Sequence, residues 1–342
     1  MEVEAGKEIP AGRRHIIERP RLTRLLDDTS AKVIMLVAPA GYGKTTLARQ
    51  WLADKPHAWY QATAESADLA ALGAGITEIA ASLASPVGTR FRESLRAHRN
   101  VEAESAGDFL AADLQRWSAG AWLAIDDYHL LNTEADDVLE RISHIPSMHF
   151  LITSRSRPKW ATARKLLYGE VFELGPNALA MNSAEANEVL QRMAGQTAQG
   201  FVALANGWPA VIGLASFIEP SSFLDAATLP PQLHAYIAEE LYDSVRGSAQ
   251  EALCALSLLP TPTPGLAQEL VGAASRDALA EGVRVGFLTE QSAGVYDLHP
   301  LLRTFLRRKF DDLSDESRHA VVGRAVRLLI SETYGKGHTR SS

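Results

Sequence analysis

Between residues 33 and 174 short apolar runs alternate with longer stretches in which apolar residues recur every three or four positions. The runs are Val33–Val37, Ala58–Gln61, Trp122–Ile125, His149–Thr153 and Val171–Leu174, each bounded by polar or turn residues. Short apolar runs of this kind read as strands buried on both faces. Strands separated by helical patterns predict a parallel sheet with helices on both faces. After "ELGPNALAMN" the pattern becomes helical throughout. Asn182 followed by Glu185 predicts a capping box, and helices continue to about Arg246. Near "VRGSAQE", Ser248 with Glu251 predicts a second capping box, opening a helix that ends before Pro260. "PTPTPG" reads as a rigid connector, and "SRDALAEGVRVGFL" as a helix. Two extended runs flanking Ser292-Ala293-Gly294 then predict a hairpin. Helix, helix, hairpin, helix is the order of a winged helix. The closing "SDESRHAVVGRAVRLLISETYG" predicts an amphipathic helix with nothing after it to pack on, and "KGHTRSS" a loose polar tail.

The first strand carries the chemistry. "VIMLVAPAGYGKTTLARQW" runs from an apolar strand through a Gly-rich turn into a helix. Of the pattern G-x-x-x-x-G-K-[ST] only the first glycine is missing, replaced by Ala38. The strand before it and the helix after it are the context in which such a loop cradles phosphate. Within Ala40-Gly41-Tyr42-Gly43-Lys44-Thr45-Thr46 the glycines let backbone N–H groups wrap a β-phosphate. Lys44 offers a charge to the β and γ oxygens, and the helix N-terminus adds its partial positive charge. The Thr45 hydroxyl is the expected Mg²⁺ ligand, while Thr46 continues the helix. A glycine-rich turn that binds nothing is the alternative.

"AWLAIDDYH" ends a second strand in two carboxylates, and ligands of parallel sheets sit at the carboxyl ends of strands. Asp126 is the expected partner of the Mg²⁺ ion, and Asp127 the group that orients or deprotonates the attacking water. Taken alone, Asp-Asp fits a solvated turn equally well. "FLITSRSRP" ends a further strand at Arg155, expected by analogy to lie between the other two with its tip toward the γ-phosphate. A guanidinium there would distinguish ATP from ADP; the plain alternative is a surface arginine.

With 342 residues, 46% hydrophobic and 22% charged, the chain has room for roughly two or three domains of a soluble type. A formal net charge of −7 argues against a surface devoted to nucleic acid or anionic membrane. The single Cys254 excludes a disulfide within the chain and a cysteine zinc site, and the ten histidines show no metal-ligand spacing. No run approaches the roughly 18 apolar residues that span a bilayer, and the acidic "MEVEAGKEIP" is not a signal peptide. A cytoplasmic chain is expected.

Five motifs in this order, "APAGYGKTT", "LAIDDYH", "TSR", "GWPA" and "LHPLLRTFL", resemble the nucleotide-binding core of MalT-type signal-transduction ATPases, the STAND class that includes the large LuxR-type regulators. The resemblance runs from about residue 14 to 310. It implies an α/β P-loop NTPase domain, a small helical domain and a winged-helix domain clamped over an adenine nucleotide. The corresponding division is a tail over 1–13, a nucleotide domain over 14–178, a helical domain over 179–247, a winged-helix domain over 248–312 and a terminal helix and tail over 313–342. It also implies that Arg19 and Pro20 lie near the adenine, that Pro209 packs on it, and that His299 reaches the ADP β-phosphate and holds a closed state. From spacing alone, Gly207-Trp208-Pro209 is as readily a helix start, its glycine allowing a flat ring to approach. A lone histidine such as His299 is more often structural. Those regulators continue into a repeat sensor and a C-terminal helix-turn-helix that these 342 residues do not include, as expected of either a fragment or a reduced relative, so inducer and DNA binding do not carry over.

The expected function is a regulatory switch: ADP holds a closed monomer, ATP with an upstream signal permits self-assembly, and slow hydrolysis resets it. The alternative is an AAA+-like DNA loader whose winged helix grips duplex. That reading rests on "LLRTFLRRKF", with Leu301, Leu302, Phe305 and Leu306 buried and Arg303, Arg307, Arg308 and Lys309 facing outward. Against it, the one arginine available as a trans-acting group is Arg141, and the helix before the wing is poor in side chains that read bases. A phosphotransferase with a small acceptor ranks last, for want of a pocket signature. Tyr128 and His129 carry no assignable chemistry, and Trp59 and Trp117 are expected in the core.

Overall fold

The computed structural model describes residues 16–81, 83, 90, 91, 93, 103–190, 202, 205–216, 231–290 and 294–338, with the backbone alone for 103, 104 and 331–338. The expected tail over 1–13, Ser292 and Ala293 of the hairpin turn, and the last residues of the polar tail lie outside this set. The chain divides into two compact units, one of Glu18–Leu179 and one of Ala180–Ser342 with the residues that precede Glu18.

The first unit holds helix α1 (Pro20–Asp28), strand β1 (Val33–Val37), α2 (Lys44–Leu52), β2 (His57–Gln61), α3 (Leu69–Ala80), α4 (Ala103–Asp113), β3 (Trp122–Asp126), α5 (Thr133–Ser143), β4 (His149–Ser154), α6 (Ala163–Leu167), β5 (Val171–Leu174) and α7 (Pro176–Leu179). The strands form one parallel sheet in the order β2-β3-β4-β1-β5. Each of the five apolar runs is a strand, with a residue added at an end of β2, β3 and β4. The two-residue period sends Ile34, Leu36 and Leu151 to the face covered by Leu22, Leu26, Leu47 and Leu52 of α1 and α2. Val33, Met35, Phe150 and Ile152 meet Leu72, Ile76, Leu110, Val138 and Ile142 of α3, α4 and α5 on the other face. Burial on both faces is why these strands read as unbroken apolar runs. Trp117 is core, as expected; Trp59 is only half-buried, with the Arg49 guanidinium 5.0 Å from its ring centroid.

The second unit holds α8 (Ser183–Val189), α9 (Pro209–Ala215), α10 (Pro231–Ile237) continued by a π-helical turn over Ala238–Tyr242, α11 (Gly247–Leu256), α12 (Pro264–Val271), α13 (Ser275–Val285), β6 (Leu288–Glu290), β7 (Tyr296–Leu298), α14 (Pro300–Asp311) and α15 (Asp315–His338). The capping box of Asn182 and Glu185 is present in both directions, at 2.9 and 3.1 Å. The second expected box is not. Helix α11 starts at Gly247 behind an extended Arg246 with no side-chain cap, leaving Ser248 and Glu251 within the helix.

The connector "PTPTPG" also differs from expectation. Its last two residues, Pro264 and Gly265, open α12, with Thr263 accepting from the Leu266 N–H. Proline at the first helical position starts a helix rather than preventing one. Three helices therefore precede the β6–β7 hairpin, whose strands pair antiparallel. On α14, Leu301, Leu302, Phe305, Leu306 and Phe310 are buried. Two of its cations do not face outward freely. Arg303 donates to the carbonyls of Ser257, Leu259 and Pro260, and the Lys309 ammonium lies 5.5 Å from the Tyr242 ring centroid.

Candidate phosphate and metal site

Strand β1 ends at Val37, and the chain turns through residues 38–43 before α2 begins. Two left-handed glycines make that turn: Gly41 at φ 78° and Gly43, the N-cap of α2, at φ 75°. A side chain is disfavoured there by the backbone angle, not by crowding, because a Cβ on Gly43 would meet nothing within 4 Å. A loop of this form running into a helix N-terminus turns backbone N–H groups toward an anion.

Lys44 is buried, and its Nζ donates to the carbonyls of Ala38 at 2.7 Å and Pro39 at 2.8 Å. Burial, then the charge of Arg155, pushes its pKa down to about 8, while Asp127 and Asp126 pull it back up. Arg155 follows the last residue of β4 and is half-buried. β4 lies between β3 and β1, the order expected of it. Tyr42 is half-buried, packed against the core cluster of α1 and α2, and burial raises its phenol pKa.

The parallel register brings the end of β3 beside this loop. Thr45 Oγ1 donates to Asp126 Oδ1 at 2.8 Å, and Asp126 is 2% exposed. The Thr153 hydroxyl donates to the same carboxylate oxygen. One hydroxyl and one carboxylate at the mouth of an open anion cradle suit a hard divalent cation that takes its remaining ligands from water and phosphate. Among the described residues no cluster of three or more His, Cys, Asp or Glu offers an all-protein metal cage. The donor set therefore fits Mg²⁺ carried with a nucleotide, through Thr45 and Asp126.

Asp127 adopts a left-handed conformation, φ 56° and ψ 39°, uncommon for a residue with a side chain. Its N–H donates to Thr153 Oγ1 at 3.1 Å, and its Oδ2 accepts from Gln61 Nε2 at 2.9 Å. His129 Nδ1 lies 4.0 Å from Oδ1. Behind the turn, Tyr128 Oη donates to Asp136 at 2.7 Å and accepts from Trp160 Nε1 at 2.8 Å. Tyr128 thus fixes the turn from below. No motif marks Thr153 or Gln61; each is a polar residue at or next to the end of an apolar strand, a signal too common to stand alone.

Ala40, Gly41, Tyr42, Gly43, Lys44, Thr45, Thr46, Asp126, Asp127 and Arg155 are thus carried by the loop, the first turn of α2 and the carboxyl ends of the inner strands β3 and β4. Arg19 and Pro20 open α1 in the same unit. Pro20 is exposed, whereas Arg19 is 6% exposed and donates from Nη1 to the Leu179 carbonyl at 2.8 Å. Arg21 does the same to Ala178 at 2.9 Å.

Pro209 and His299 belong to the second unit. Pro209 is buried at the first position of α9, behind the buried Trp208. Gly207 has φ 73°, and a Cβ there would lie 2.6 Å from the Met181 carbonyl oxygen. The close neighbour that requires this glycine is the backbone at Met181. His299 caps α14: its Nδ1 accepts from the Leu301 N–H at 3.3 Å, and its Nε2 lies 3.0 Å from the Ala205 carbonyl. That pattern places the proton on Nε2 of a neutral ring. Burial is the main cause of its lowered pKa. Its ring meets Trp208 edge-on at 5.5 Å.

The family model for the MalT winged helix domain matches residues 238–318. The MalT transcriptional regulator of Yersinia pestis (strain Pestoides F) is 28% identical over 322 residues, 88% of this chain and 36% of the regulator. The chain thus spans about a third of the length of the curated relatives it matches. Among solved structures, a Walker-type ATPase of Pyrococcus abyssi is 14% identical, covering 85% of this chain and 96% of that one, with a TM-score of 0.54. A STAND protein of Pyrococcus horikoshii with a tetratricopeptide repeat sensor is 19% identical, covering 93% of this chain and 45% of that one, at a TM-score of 0.44. With a Gly-Lys-Thr loop opening α2, a parallel sheet of P-loop type and a match to the MalT winged helix model at residues 238–318, the chain is MalT-like over most of its length.

Proposed function

We propose that the chain is the nucleotide-responsive switch of a regulator, binding ADP or ATP with Mg²⁺ and changing its assembly state with the nucleotide. The observation that carries this reading is the hydrogen bond from Thr45 to Asp126 beside a loop turned by two left-handed glycines, Gly41 and Gly43. In this reading Gly41, Gly43 and the α2 N-terminus bind the β-phosphate. Lys44 exchanges its two loop carbonyls for phosphate oxygens, so the ammonium stays hydrogen-bonded in both states. Thr45 and Asp126 hold Mg²⁺, which when bound neutralises phosphate charge. Asp127 orients water, and Arg155 distinguishes ATP from ADP by the oxygens within its reach.

The further roles come from the family resemblance. Arg19, Pro20 and Pro209 would contact adenine, and His299 would leave its carbonyl partner to meet the ADP β-phosphate. Domains over 14–178, 179–247 and 248–312 would then close on one nucleotide and open for self-assembly with ATP, with slow hydrolysis as reset. MalT is an HTH-type transcriptional regulator, and a role in transcription control is the output we infer for this chain. Duplex DNA has no part in the reading, since Arg303 spends its donors on backbone carbonyls. Arg141, the candidate trans-acting arginine, forms a two-pronged pair with Asp108 at 2.6 and 3.0 Å. A cytoplasmic location follows as a proposal; no helix among the described residues is long and apolar enough to cross a membrane.

Denaturing the purified protein and chromatographing what it releases tests the reading. Tightly held ADP is expected, with a shift to larger assemblies by light scattering when ATP replaces it. A Lys44→Ala chain whose size and melting temperature respond to ADP and ATP as wild type does would overturn it.

A further inference from the structure

Thr153 is the second-to-last residue of β4, 2% exposed, and its hydroxyl touches both carboxylate residues of the site. It donates to Asp126 Oδ1 and accepts from the Asp127 N–H at 3.1 Å. A hydroxyl has one proton to give and lone pairs to receive with, and both capacities are used here. The consequences differ for the two acids.

Asp126 Oδ1 accepts from Thr45 and from Thr153. The buried carboxylate is therefore held by two donors from different elements, α2 and β4. Without Thr153 the carboxylate would keep the Thr45 contact but lose the donor that stops its rotation. Asp127 is held differently. Its left-handed backbone costs about 1 kcal/mol or more for a residue with a Cβ. The N–H that this conformation turns toward β4 is received by Thr153. Its carboxylate then meets Gln61 at the end of β2, at 2.9 Å. A valine in place of Thr153 would fill the same volume and remove both contacts.

We propose that Thr153 is a positioning residue that sets the Mg²⁺-binding carboxylate of Asp126 and the water-orienting carboxylate of Asp127 in one fixed arrangement, with Gln61 holding the second from the side. This rests on the nucleotide and Mg²⁺ reading of the site given above. The part it adds is that metal-dependent affinity, as distinct from phosphate affinity, passes through one buried hydroxyl. The hydrogen bonds of Lys44 go to Ala38 and Pro39 and those of Thr153 to the two acids, so the phosphate cradle is expected to survive the loss of Thr153.

The test is titration of the full chain with a fluorescent ADP analogue, once with Mg²⁺ and once with EDTA. Wild type is expected to bind more tightly with Mg²⁺. Thr153→Val should keep its affinity in EDTA and lose about tenfold or more of the Mg²⁺-dependent gain, the scale on which groups behind a metal ligand act. Thr153→Ser, which keeps the hydroxyl, should restore the gain. Should valine fail to fold there, Thr153→Ala carries the same expectation, with the circular dichroism melt reporting folding. A Val or Ala variant with the full wild-type gain, or a Ser variant without it, overturns the inference while leaving the nucleotide reading intact. A wild-type chain that binds no nucleotide overturns the reading itself, and this inference falls with it.

Discussion

Lys44 carries a sharp consequence at the scale of one residue. In the free chain its pKa is about 8 against an ordinary 10.5, because its charge is buried beside Arg155. The unfolded chain therefore holds more protons between these two values, and this group adds stability as pH rises through them. Phosphate oxygens would favour the charged form again, so ADP binding should take up a proton above about pH 8. Affinity should then weaken by up to about tenfold per pH unit. Titration calorimetry at about pH 8.5 in buffers of contrasting ionisation enthalpy would measure that uptake. Gly207 makes a second prediction. Gly207→Ala combines a left-handed φ with a Cβ 2.6 Å from a backbone oxygen, whereas Gly120→Ala has φ 76° and open space. We expect about 1 kcal/mol lost at Gly120 and clearly more at Gly207, read from urea unfolding.

At the scale of elements, α14 depends on the cap and the clamp at its start. His299→Ala removes the acceptor for the Leu301 N–H and the bond to Ala205, and should cost about 1–2 kcal/mol. Because burial lowers the His299 pKa, the folded state resists its protonation while the unfolded state does not. Its contribution is therefore whole above about pH 6.5 and falls as pH drops below that value toward the folded pKa. Urea midpoints at pH 7.5 and 5.5 should separate more for wild type than for His299→Asn, which keeps a capping oxygen but does not titrate. Arg303 ties α14 to the carbonyls of Ser257, Leu259 and Pro260. Arg303→Met should leave those carbonyls without their donor and speed amide hydrogen exchange around residues 257–263, with a loss of about 1–3 kcal/mol.

At the scale of the whole molecule, the prediction concerns a nucleotide shared between lobes. Arg19 and Arg21 fasten the last residues of the first unit, Ala178 and Leu179, to its first helix. A fragment of residues 16–179 should therefore fold and melt cooperatively, while one ending at residue 174 should melt lower. If ADP is also held by Pro209 and His299, the full chain should bind it more tightly than the 16–179 fragment. Equal affinity would confine the nucleotide to the first unit and leave the closed state without its bridge.

The amino-acid pattern by itself determined the five strands, the phosphate loop and the carboxylates at the end of β3. Burial on both faces leaves an apolar run, and a loop of the phosphate-binding pattern requires glycine, lysine and threonine or serine at set positions. It could not assign the roles of Gly207, Arg303 or Thr153. Gly207 answers to the backbone at Met181, Arg303 to the carbonyls before α12, and Thr153 to two acids on a neighbouring strand. Each partner is 26 or more positions away along the chain. Local periodicity reports which side of an element is buried, whereas a hydrogen-bond partner from another element exists only once the elements are packed.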